Sequence, residues 1–143
     1  MTALVRIEAG QWVLAFKENF GPYPGGGDLR ETLERLTHGG SGWDCLHRPK
    51  DQFDVHQTER VMPKTYRIVG SGSRHWRDQV VAAAATSGEL EALRDKLFAI
   101  GFAADRAIND EIARLISPFE AKTRADALAK VHAALPHIFG RQN

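Results

Sequence analysis

Cys45, His47 and His56 fall within one short stretch, "DCLHRPKDQFDVH", with His38 just upstream. A thiol and an imidazole two residues apart would point the same way on a strand, which is the start of a nucleophile–base pair. Such a pair needs a third group to orient the base, and Asp44, Asp51 and Asp54 offer no reason to choose among them. Read as a metal site, the spacing is H-x6-C-x-H-x8-H. Structural zinc sites favour C-x2-4-C and H-x3-5-H, so neither a metal nor a catalytic residue is assigned here. A hydrolase or transferase working through the 43–56 loop, with or without a metal, stays as the alternative.

A second group lies in "YRIVGSGSRHWRDQ", Tyr66 to Gln79. The GSGS segment lacks the third glycine of a dinucleotide fingerprint and the Gly-Lys-Ser/Thr of a P-loop, so it reads as a hairpin tip. On a strand, Arg74 and Trp76 share one face while His75 and Arg77 share the other, and Arg67 lies across the hairpin. A tryptophan among guanidiniums can stack a ring and pair a phosphate. Arg67, Arg74, Trp76 and Arg77 are therefore expected to bind a ligand or partner, assisted by Trp43, His47, Arg48 and Phe53 from the preceding loop. The glycine run Gly25-Gly26-Gly27 before Asp28 reads as a flexible loop ahead of a helix cap.

The elements that must position these groups follow from periodicity and punctuation. Residues 4–16 read as two short strands turning at Gly10-Gln11. Asp28 opens a short helix with Leu29, Leu33 and Leu36 on its apolar stripe. From 38 to 64 no period persists, and a long irregular loop is expected. A hairpin is expected over 65–84. Thr86 and Glu89 form a capping box. Leu90, Leu93, Leu97, Ile100, Ala104, Ile108, Ile112 and Leu115 then step by three and four, a continuous helical stripe. Ser117-Pro118 should stop that helix, and a last one should run from about Lys122 to Leu135.

The expectation is a single α+β domain over 1–143, β-rich to residue 85 and helical over 86–136. A small antiparallel sheet, N-terminal strands plus the 65–84 hairpin, packs with a short helix and a C-terminal pair of helices. The length of 143 residues suits one core, and a net charge of +1 gives no bulk field, which weakens a nucleic-acid reading. No apolar run is long enough to span a membrane, and Met1–Gly10 does not read as a signal peptide. One cysteine fits a reducing, cytoplasmic setting. The function expected is that of a non-enzymatic binding protein, small and regulatory or inhibitor-like, of bacterial or phage type. It would engage a protein or a nucleotide-like anion, without a cofactor, and self-associate through the 89–116 helix.

Overall fold

The computed structural model describes residues 4–17, 20–37 and 52–140. Five strands form one antiparallel sheet: β1 (Trp12–Phe16), β2 (Phe53–Val61), β3 (Thr65–Ile68), β4 (Arg74–Trp76) and β5 (Val80–Ala84), in the order β4-β3-β2-β1-β5. Among the described residues three helices are complete: α1 (Leu29–Thr37), α2 (Ser87–Ala134) and the four-residue α3 (Pro136–Phe139). The α+β class is as the sequence implies. The chain divides into two compact units, Met1–Ala104 and Asp105–Asn143.

In the sheet, three elements differ from the sequence expectation. Residues 4–11 form no strand; the chain turns at Gly10, whose φ of +89° suits glycine, and Gly10 donates to the Thr58 carbonyl. The stretch read as an irregular loop contains β2, which pairs with both β1 and β3. Its alternation was hard to see because one face of β2 carries Asp54 and His56 in place of aliphatic residues. The proposed 65–84 hairpin ends at Trp76. A 3-10 turn over Arg77–Gln79 carries the chain to β5, which pairs with β1 at the other edge.

That crossing fixes the form of the sheet. Flat, its two edges would lie about 19 Å apart, while three residues of 3-10 helix rise about 6 Å. The sheet must therefore curl until β4 and β5 approach each other. The packing agrees: Val80 of β5 and Tyr66 of β3 share one buried cluster with Ile7, Val13 and Ala15. This cluster occupies the inner face, and the segment before β1 helps to close it. On the outer face Leu14, Phe16 and Phe53 pack with Leu36 of α1 and Leu90 of α2. Phe53 and Phe16 lie ring to ring, centroids 4.6 Å apart.

The helices begin where the sequence places them. The Asp28 carboxylate accepts from the Arg30 and Glu31 amides. Thr86 and Glu89 form the expected reciprocal box: the Thr86 amide and hydroxyl donate to Glu89, and the Glu89 amide donates to the Thr86 hydroxyl. The expected pair of C-terminal helices is instead one 48-residue helix with Pro118 inside it, followed by α3. Proline lacks an amide and costs a helix interior about 3 kcal/mol, so it marks the weakest point of α2. On the polar side of α2, Arg114 pairs with Glu111 at 2.6 Å. No helix among the described residues is long and apolar enough to cross a membrane.

Candidate functional site: a row of arginines on the outer face

Antiparallel registers place side chains of one face directly opposite each other. Arg60 of β2 is opposite Arg67 of β3, and Arg67 is opposite Arg74 of β4. Three guanidinium-bearing residues thus form one row across three adjacent strands, spanning about 10 Å. Thr65 and Trp76 form the neighbouring row on the same face. Like charges placed opposite each other destabilise a sheet. None of the three arginines meets a carboxylate among the described residues. Arg67 donates to the Gly72 carbonyl at 2.9 Å from Nη1, which ties one arm of its guanidinium to the hairpin turn. Arg60 and Arg74 remain exposed.

A bulge in β2 explains how Arg60 reaches this face. Thr58 pairs with Ile68 and Arg60 with Arg67, so β2 advances two residues while β3 advances one. Glu59 is the extra residue. In an unbroken register Glu59 would oppose Arg67, and Arg60 would oppose the fully buried Tyr66. Burying a cation there is costly. The bulge instead sets the apolar Val61 against Tyr66 inside and turns Arg60 outward. Bulges are used in this way to re-aim a side chain.

Trp76 is 41% exposed and lines a cleft of about 230 Å³ together with Gly25, Gly27, Leu29, Lys64, Arg77 and Asp78. A β-carbon on Gly25 would lie 3.2 Å from the indole, and Gly25 has a φ of +83°. Glycine is therefore required there both for its conformation and for the close approach. The Gly25 amide donates to Asp78, and the Gly26 and Gly27 amides donate to the Tyr23 carbonyl. The glycine loop thus spends its amides internally, which agrees with reading it as a loop and not as an anion cradle. The cleft is smaller than the roughly 300–1,000 Å³ of ordinary small-molecule pockets.

The other sequence-derived site residues divide clearly. Arg77 is spent on structure: it donates to the Met62, Pro63 and Val5 carbonyls and so ties three segments together. Phe53, 1% exposed, belongs to the core and has no face left for a ligand. Trp43, His47, Arg48 and Cys45 lie outside the described residues. The GSGS segment closes the β3–β4 hairpin, with Gly70 and Gly72 at positive φ. Arg60 was missed because it lies in the stretch read as loop; recognising the strand would not have sufficed without the bulge.

The inner face holds a second polar group. His56 and His75 rings lie 5.1 Å apart, and His75 stacks on Tyr66 at 5.5 Å. His75 is half-buried here. His56 approaches Asp54 at 3.8 Å. Burial holds His56 below the usual imidazole range; nearby Asp54 opposes that shift and His75 adds to it. Burial, with Asp54 beside it, pushes the Tyr66 phenol well up. Among the described residues no group of three or more His, Cys, Asp or Glu could hold a metal ion.

No protein-family model matches the chain, and no curated protein or solved structure matches it.

Proposed function

We propose that this protein is a non-enzymatic binding protein that engages an anionic partner through the outer face of β2, β3 and β4. The carrying observation is the Arg60–Arg67–Arg74 row, three like charges opposed in register and unmatched by carboxylates among the described residues. A fold tolerates such a row at a cost in stability, and a bound anion offsets that cost. Guanidinium groups suit phosphate and carboxylate because their planar fork bonds two oxygens at once. Trp76 supplies a flat apolar neighbour. The net charge of +1 is no obstacle, because acidic residues elsewhere balance a locally basic face.

The test is retention on immobilised heparin, a generic polyanion, along a salt gradient. The triple variant Arg60→Ala/Arg74→Ala/Trp76→Ala should elute at clearly lower salt than the wild type while keeping its far-UV circular dichroism. Elution of both at the same salt would overturn the reading.

A second element of the proposal is self-association through α2. Ile108, Ile112, Leu115 and Phe119 continue the three-and-four stripe and are all exposed. A run of this kind is the seam along which helices pair.

A further inference from the structure

We infer that the anion read by the arginine row is the backbone of a single-stranded nucleic acid, with one base stacked on Trp76. This deepens the anion-binding reading above and rests on it.

Three observations point to a strand in preference to an acidic peptide, a sulfated sugar or a duplex. First, the charges are arginines in a line. Arg60, Arg67 and Arg74 repeat once per strand across the sheet, a linear array of forks for a ligand whose charges also repeat along a line. Second, the row adjoins an aromatic face. Trp76 follows Arg74 by two residues on β4, on the same face and about 7 Å further along the strand, so a chain pairing a phosphate with Arg74 brings its next base over the indole. A carboxylate peptide or a sulfated sugar gains much less from that ring, because neither carries the flat π-face that stacking needs. Third, the row lies on the outer face of β2, β3 and β4 with Arg60 and Arg74 exposed, where a flexible strand can follow it. Stacking on Trp76 also demands an unpaired base. Single-strand recognition on sheets combines these same parts, a basic track and stacking rings.

The bulge at Glu59 strengthens the inference. The unbulged register would set Glu59 beside Arg67 and leave only two arginines, one of them neutralised. The bulged register delivers three.

The experiment uses the full chain and fluorescein-labelled oligo-dT and oligo-U of about twelve nucleotides, within the usual site size of a single-strand binding face. Polarisation is read across a salt series, against a duplex of equal length and a polyglutamate peptide. Single strands should bind at least about ten-fold more tightly than either competitor. The slope of log affinity against log salt should be near −2 for three phosphate contacts, at roughly 0.7 per contact. Arg60→Ala and Arg74→Ala should each remove about 0.7 from that slope, while Arg74→Lys should keep it. Trp76→Leu retains a large apolar side chain beside Gly25 and so guards against misfolding. It should weaken binding about 5- to 150-fold with the slope unchanged. Equal binding of duplex or polyglutamate, or an unaffected Trp76→Leu variant, would overturn the inference. Salt-sensitive heparin retention without oligonucleotide binding would also overturn it and leave the anion-binding reading standing. Loss of both would remove both.

Discussion

Arg77 and Arg74 are three residues apart and do opposite work. Arg74 stands exposed on β4, whereas Arg77 is consumed by three backbone carbonyls from two distant segments. Arg77→Ala should therefore act on stability, by about 3 kcal/mol, since bonds from charged groups are worth more than neutral ones and their loss leaves carbonyls unpaired. Urea unfolding would show it as a fall in the midpoint, and an unchanged midpoint would refute the structural role. His56 makes a prediction about pH. Its folded pKa is depressed chiefly by burial, so the unfolded chain takes up a proton first as pH falls. Its contribution is fully present above the ordinary value of about 6.5 and is lost as pH drops toward the folded value. Asp54 and His75 face it and modulate the shift in opposite directions. Thermal melts between pH 7.5 and 5 should show a falling Tm, and His56→Gln should flatten that fall. A parallel fall in the variant would assign the effect elsewhere.

At the scale of the element, two local devices decide what the strands and helices present. The Glu59 bulge keeps Val61 inside and Arg60 outside, a choice set by the fully buried Tyr66 on the neighbouring strand. The Thr86–Glu89 box fixes the start of α2 and thus the phase in which Leu90, Leu93 and Leu97 meet the core. Thr86→Ala should cost about 1 kcal/mol, visible as a lower Tm with oligonucleotide binding per folded molecule unchanged. A simultaneous loss of binding in folded protein would mean that the cap supports the outer face directly. The sequence exposed the second device and hid the first. A capping box is read within four residues, while a bulge is defined only against its partner strand.

At the scale of the whole molecule, the striped helix is the feature most in need of a partner. Ile112 and Leu115 lie on one face of α2, exposed at 47% and 62%. Burying apolar surface yields roughly 25 cal/mol per Å², and a second copy of the same stripe is the proposed cover. Sedimentation equilibrium should give a dimer or higher species for the wild type at micromolar concentration. Ile112→Asp/Leu115→Asp should give a monomer. A monomeric wild type would remove self-association from the proposal and leave the arginine face untouched, because Arg60, Arg67 and Arg74 lie on the sheet.

By itself the sequence determined what depends on near neighbours along the chain. The α+β class, both helix starts, the GSGS turn and the shared face of Arg74 and Trp76 all follow from period, capping and glycine conformation. Pro118 shows the limit even there: a local breaker sits inside α2 and does not end it. Only the tertiary structure decided the rest. It turned Phe53–Val61 from apparent loop into a strand, because pairing with β1 and β3 supplies hydrogen bonds that no local period announces. It withdrew Phe53 and Arg77 from the candidate surface by burying one and tying down the other. It added Arg60, which joins Arg67 and Arg74 only through registers between strands distant in sequence. Side chains declare their chemistry in the sequence; which of them share a face is settled by strand pairing, and the candidate site is a product of that pairing.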